Sequence, residues 1–398
     1  MEDPYPIYTA LRESTPAHTF GSMVLVTRFD GVKEMLADRE RYSSKMHISG
    51  SRAEEIVDSL PEHVAPLWRA LASAEAKQLA RSDGEQHDRL RRVMHRSFTP
   101  RTVAELEAMV QDHANELIDE LERDGGGDFK QVTQDLAARV IVSILGTPQV
   151  DRAQMLEWAE VRGRFMGSSD ERHVRDAHLA LGQASMYLEE TLLGGGCPHR
   201  GSGSEALVNV LLDAEQEGSL SHGEVIQNLL MLLAAGIDTT AILISTGLYE
   251  LLRDREHWQF LCDDPDRLPQ AIEELLRYVT PGQWLQRIAR DAFDLYGVEV
   301  SADQTVIGMA AAANRDPRVF DAPDSLILDR QNSHHLSLGF GYKFCLGASL
   351  VRLEALTMLR ELIRRHPDVA LAPAPEKVTW SGSPMLRALN ALPIELTA

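Results

Sequence analysis

Cysteine is scarce in this 398-residue chain: Cys197, Cys262 and Cys345 are an odd number, far apart, with no CXXC pair. That usage argues against a disulfide framework and a zinc cage, and it fits a reducing cytoplasm. Basic residues are short as well, with 40 Lys and Arg against 60 Asp and Glu. The resulting charge of −20 speaks against nucleic acid or an anionic membrane as partner, since both are held by basic side chains. The longest wholly apolar run, Leu229–Ile237, falls well short of the ~20 residues that span a bilayer. The opening MEDPYPIY has no basic region followed by an apolar one, so no secretory signal is read there. HEXXH, P-loop and GXSXG patterns are missing. Strand-like alternation is confined to short runs near Met23–Thr27, Phe293–Val300 and Leu392–Leu396.

What is present is helical periodicity, in a chain whose 44% hydrophobic residues suffice for a sizeable core. Val103, Leu106, Val110, Ala114, Leu117 and Leu121 predict one amphipathic helix that stops at Gly125–Gly127. Leu346, Leu350, Leu353, Leu356, Leu359 and Ile363 predict another. The longest candidate starts at Ser221, with Glu224 completing a capping box, and continues without Pro to about Arg253. Such a helix would be roughly 50 Å long at ~1.5 Å per residue. Its middle, Leu229–Ala235, is apolar on every face, which predicts burial inside the protein. Gly194–Gly203, GGGCPHRGSG, reads as a surface loop. No repeat or linker divides the composition. The expectation is a single, mainly helical domain over residues 1–398, with small β-sheets.

Cys345 sits in LSLGFGYKFCLGASLVRLE, with Gly339 and Gly341 before it and Gly347 after it. A lone cysteine is often an inert buried hydrophobe. Here the flanking glycines permit close approach of a flat ligand, and the helix starting after Cys345 directs free N–H groups at the sulfur. Both features stabilise a thiolate, and a single thiolate is one way to hold haem iron.

The segment resembles FGXGXXXCXGXXLAR, the haem-binding signature of soluble bacterial cytochrome P-450 enzymes. Gly339, Gly341, Cys345, Gly347, Leu350 and Arg352 match, whereas Leu338 replaces the usual aromatic and Val351 the usual Ala. The resemblance implies that Cys345 is the axial ligand of haem b. It also implies that Lys343 supplies the positive charge the family places near a haem propionate. In the family the aromatic packs beside the iron–sulfur bond, so Leu338 bears on the redox potential.

Three further signatures occur in the family's order. Glu274 and Arg277 form EXXR, which a helix places on one face. The resemblance implies a buried structural network that Arg330, in LILDR, completes. Ala235–Thr240, AGIDTT, puts an acid and two hydroxyls into an apolar helix, which is costly unless they are satisfied or used; bonding back to preceding carbonyls would satisfy the Thr. By resemblance Asp238 and Thr239 deliver protons to dioxygen. His87 and Arg91 lie one helical turn apart in HXXXR, in a run resembling DPPEHXRLRR…FTP, with Gly84 and Glu85 at the proline positions. The resemblance implies that they hold haem propionates together with Arg287.

The family resemblance implies a haem-thiolate monooxygenase that uses dioxygen and two electrons to hydroxylate, epoxidise or oxidise a heteroatom of a small organic substrate, with secondary-metabolite biosynthesis as the expected setting. The same fold could perform oxidative coupling or desaturation, or serve as a redox-silent accessory homologue. Ferredoxin and ferredoxin reductase are the implied electron donors, received on a basic patch for which Arg92, Arg96 and Arg352 are candidates. Implied pocket positions are the segment before His87, Met166–Leu193, Met231–Ala235, Gly282–Leu285 and a turn near Ser383. Among these, Met231, Ala235, Gln283 and Trp284 are singled out. Gln283 and Trp284 suggest a substrate with hydrogen-bonding groups, with ordinary packing as the alternative. His334 and His335 are read as non-ligands.

Overall fold

The computed structural model describes residues 3–45, 51–165, 168–193, 207–331, 334–373, 378–380 and 385–396. Gly194–Gly203 with Cys197, and the expected pocket positions Met166 and Ser383, lie outside the described residues.

The longest helix is His222–Arg253, 32 residues. Its start follows from the capping box: Ser221 Oγ accepts from the Glu224 N–H, and the Ser221 N–H donates to Glu224 Oε2 at 2.9 Å. By length and composition this helix could cross a membrane, which the short wholly apolar run did not suggest. However, 72% of its most apolar window is buried inside the protein, as in a core helix. Helix Phe129–Leu145 packs along it. There the Thr133 hydroxyl donates to the Ala241 carbonyl at 3.3 Å, and a Cβ on Gly236 would meet Ile141 at 3.3 Å.

The helix expected from Val103 to Leu121 is two helices, Pro100–Ala104 and Glu107–Asp124, separated by a turn. Pro100 and the Thr99 side-chain cap start the short one. The apolar spacing runs on across the turn, so periodicity alone did not reveal the break. Helix Ala348–Arg365 follows the cysteine loop as expected.

Ten short strands are described: β1 Ala17–Phe20, β2 Met23–Val26, β3 Tyr42–Ser43, β4 Gly126–Asp128, β5 Leu285–Ala289, β6 Phe293–Leu295, β7 Val298–Val300, β8 Thr305–Gly308, β9 Ala370–Leu371 and β10 Pro393–Glu395. The main sheet has the order β1-β2-β8-β5-β3, with β2 and β8 parallel and its other pairs antiparallel. The run Phe293–Val300 is a hairpin, β6 and β7, turned by Tyr296 and Gly297 at φ 56° and 83°. The glycines read as a helix stop do more than that. Gly125 caps the helix at φ 69°, and Gly126 enters β4 so close to β10 that a Cβ would lie 2.2 Å from the Ile394 carbonyl oxygen.

Candidate functional site

The cysteine loop is shaped by its own backbone. Gly339 and Gly341 adopt φ 73° and 68°, a left-handed conformation that costs other residues dearly. The turn they allow lets the Cys345 N–H donate to the Leu338 carbonyl at 2.8 Å and the Phe344 N–H to the Gly341 carbonyl at 3.0 Å. Helix Ala348–Arg365 begins directly afterwards, with Gly347 at its N-cap. Burial pushes the Cys345 thiol up, while the Gly347 N–H and the Arg352 and Arg91 guanidinium groups draw it down. Ligation of a cation by the sulfur would therefore start from a site already supplied with thiolate-stabilising donors.

Beside this loop the fold collects three cationic side chains and an imidazole from three elements. His87 and Arg91 come from helix Gly84–His95, Arg287 from β5, and Lys343 from the loop itself. His87 and Arg287 are buried. Burial, then Lys343, pushes the His87 imidazole down to about 4, against the pull of Asp88. Burial and Arg287 push the Lys343 ammonium down to about 7, against Asp83 and with Arg91 and Arg81 adding repulsion. Arg91 and Arg287 are both lowered, chiefly by burial. His87 Nε2 and Arg287 Nε are buried with no hydrogen-bond partner among the described residues. So much positive charge, with polar atoms left over, fits a buried dianion such as the two propionates of a haem. Lys343 itself donates to the Leu79 and Ser82 carbonyls at 2.9 and 2.6 Å, which ties the cysteine loop to the segment before His87.

Sequence reasoning missed several partners in this cluster. Asp83 accepts from the Ser43 hydroxyl at 2.6 Å and from Arg290 at 3.0 Å. Tyr342 meets His87 edge-on at 5.3 Å between centroids, with Arg39 stacked 4.2 Å over its ring. Tyr342 lies in the quoted loop, but nothing in its spacing points to His87. Arg81, buried six residues before His87, had no motif to mark it.

In the long helix, Ala235 is exposed although Leu233 and Ile237 are buried. The helix thus turns an edge of small residues out of the core where it was expected to be buried on every side. The Thr239 hydroxyl donates back to the Ala235 carbonyl at 2.8 Å, leaving its oxygen free to accept. Asp238 forms no hydrogen bond or ion pair among the described residues. Its carboxyl is raised by burial, with Lys130 opposing and Glu160 reinforcing the shift. Met231, one turn before Ala235, is buried.

Glu274, Arg277 and Arg330 meet in the interior. Arg277 donates to both Glu274 oxygens at 2.7 and 2.8 Å, and Arg330 Nε reaches the same carboxylate at 3.0 Å. Arg277 also donates to the carbonyls of Asn314, Pro323 and Ser325. This network pins the segment leading to the cysteine loop onto helix Leu268–Val279.

Two expectations fare differently. Gln283 is buried and donates to the Thr280 carbonyl at 2.6 Å while accepting from the Tyr8 hydroxyl at 3.4 Å. Trp284 packs against the cluster of Ile307, Met309 and Ala312, as Tyr8, Met23 and Leu25 also do. Arg92 and Arg96 are exposed, but Arg352 is held by Glu273 at 2.5 and 2.8 Å, and His335 lies 3.4 Å from the same carboxylate.

The cytochrome P450 family model matches residues 199–373. The cytochrome P450 monooxygenase PikC of Streptomyces venezuelae is 34% identical over 98% of this chain and 91% of its own length. Nocardicin C N-oxygenase of Nocardia uniformis subsp. tsuyamanensis is 33% identical over 98% of this chain and 95% of its own length. Among solved structures, P450BioI in complex with an acyl carrier protein ligated to hexadec-9Z-enoic acid has a TM-score of 0.88 at 27% identity, with 99% of each chain covered.

Proposed function

The chain belongs to the cytochrome P450 family, and on that premise we propose which residues carry its chemistry and on what it acts. It is a haem-dependent monooxygenase, and its relatives include a polyketide biosynthesis cytochrome P450. The proposed group is haem b, with Cys345 as the iron ligand and His87, Arg91, Arg287 and Lys343 around its propionates. The observation that carries this reading is the cluster of Arg91, Arg287, Lys343 and His87 beside the cysteine loop, with the buried His87 Nε2 and Arg287 Nε lacking partners among the described residues.

When bound, the haem supplies the centre at which dioxygen takes up two electrons and one oxygen atom passes to the substrate, the other leaving as water. The chain does the rest. The Cys345 backbone hydrogen bond and the Gly347 N–H fix and stabilise the sulfur. Asp238 and the Thr239 hydroxyl carry protons inward, the acid donating and the hydroxyl oxygen accepting before it passes its own proton on. Ala235 leaves room for substrate, and Met231 flanks it. The substrate class is a small organic molecule of secondary metabolism, oxidised at carbon or a heteroatom. Electrons come from a ferredoxin and its reductase at a surface that includes Arg92 and Arg96, in the cytoplasm, and the whole chain acts as one domain.

The deciding experiment is the absorption spectrum of the dithionite-reduced protein under carbon monoxide, for wild type and Cys345→Ser. A strongly red-shifted Soret band that disappears in Cys345→Ser is expected. A band of the histidine-ligated type in wild type would overturn the assignment.

A further inference from the structure

Asp238 is placed unlike the rest of the long helix's apolar middle. Helix Arg152–Phe165 packs against it, and a glycine of that helix lies beside the carboxylate. A Cβ built on Gly163 would lie 4.0 Å from Asp238 Oδ2. Gly163 is exposed, and so are Glu160 and Arg164 on the same helical face. Glu160 is 72% exposed and only loosely paired to Arg164 at 3.9 Å. The carboxylate of a partly buried acid thus lies beside a surface position that has no side chain to cover it.

We propose that the notch at Gly163 is the port through which solvent protons reach Asp238, with Glu160 at its outer rim. The inference rests on the monooxygenase reading above and specifies the source of its protons. Two groups from the packed elements bear on the acid: Lys130, from the helix alongside, and Glu160, from the helix of Gly163. Asp238 forms no hydrogen bond or ion pair among the described residues, so no cation has to be released before it takes up a proton. One proton from water enters at Oδ2 and one leaves inward toward the Thr239 oxygen, restoring the carboxylate without any change in electron count. Gly163 is then a positioning residue: its missing side chain keeps the acid in contact with water.

The test uses thiol accessibility in the full-length holoenzyme. Asp238→Cys is made with Cys197→Ser and Cys262→Ser, and its conversion to a mixed disulfide by a small charged methanethiosulfonate, with methanesulfinate as the leaving group, is timed with and without Gly163→Leu. Leucine is a good helix former, Gly163 has no left-handed φ, and its Cβ meets only ordinary contacts, so the variant is expected to fold. The expected result is rapid labelling of the Gly163 protein, slowed at least tenfold by Gly163→Leu. In a background with Asp238 intact, Gly163→Leu should raise the solvent deuterium isotope effect on turnover without altering the carbon monoxide spectrum. Equal labelling rates with and without Gly163→Leu, or no labelling with Gly163 present, would overturn the port. Loss of the thiolate spectrum would instead count against the haem assignment, so the two failures are separable.

Discussion

Arg277 and Glu274 face each other in the interior with neither side chain exposed, joined by two hydrogen bonds of 2.7 and 2.8 Å. A helix brings residues three apart onto one face, but on a surface such a pair would contribute only a few tenths of a kcal/mol. Here Arg330 and three backbone carbonyls complete the set, and the carboxylate also accepts from the Ile327 N–H at 2.9 Å. Removing one member leaves buried charge without its counterion. Glu274→Ala should therefore destabilise the protein by about 3–5 kcal/mol, read as loss of haem and of cooperative unfolding. Arg277→Lys should be nearly as damaging, because an ammonium cannot reproduce the planar fork. A soluble, haem-loaded Glu274→Ala protein with an unchanged denaturation midpoint would refute this.

The cation cluster predicts opposite effects in the two states of the protein. Arg287→Gln removes a buried charge that repels Lys343. It should raise the denaturation midpoint of the haem-free protein. If Arg287 holds a haem propionate as proposed, the same change removes a charged hydrogen-bond donor, a loss of about 1.5–3 kcal/mol, so haem transfer to apomyoglobin should be roughly ten- to a hundredfold faster. Parallel changes in both measurements would show that Arg287 is only a structural residue.

His87 links stability to pH. Its imidazole titrates near 6.5 when unfolded and at about 4 in the fold, because burial and Lys343 oppose the charged form. Between those values the unfolded chain binds a proton that the folded chain does not. The contribution is thus complete above pH 6.5 and is lost as the pH falls toward 4, by up to about 3 kcal/mol. Denaturant unfolding of the haem-free protein should show a steeper decline over this range for wild type than for His87→Gln. Identical slopes would mean that His87 titrates alike in the folded and unfolded chain, so that burial and Lys343 do not oppose its charged form.

Charge reversal at Arg92 and Arg96 should slow reduction by a ferredoxin roughly tenfold at low salt, with the difference shrinking as ionic strength rises. Arg352→Glu should instead act through Glu273, its partner at 2.5 and 2.8 Å, and lower the melting temperature. Stopped-flow rates that ignore both exposed arginines at low salt would place the donor elsewhere.

Trp284→Ala should cost about 2–3 kcal/mol of stability by removing a partly buried ring from the cluster of Ile307, Met309 and Ala312. It should leave the product pattern of any identified substrate unchanged. A new oxidation site in that variant would restore Trp284 to the pocket.

Some of this was legible before any coordinates. The capping box at Ser221, the glycine spacing around Cys345 and the EXXR pair are local patterns, and local geometry governs caps, left-handed turns and helical faces. The sheet was less visible, since β1, β3, β4, β5 and β8 are two to five residues long and β4 is written in glycine and aspartate. Such strands are made by the partner they pair with, as the close contact of Gly126 with Ile394 illustrates.

The sequence by itself determined the family, the cysteine loop and the long central helix, because each depends on residues within a few positions of one another. The tertiary structure decided where long side chains end. Lys343 turns to carbonyls more than 260 residues away in the chain, Gln283 folds back onto Tyr8, Arg352 is taken by Glu273, and Gly163 comes to rest beside Asp238. Spacing along the chain fixes which face a residue occupies; only the packing of distant segments fixes what that face meets.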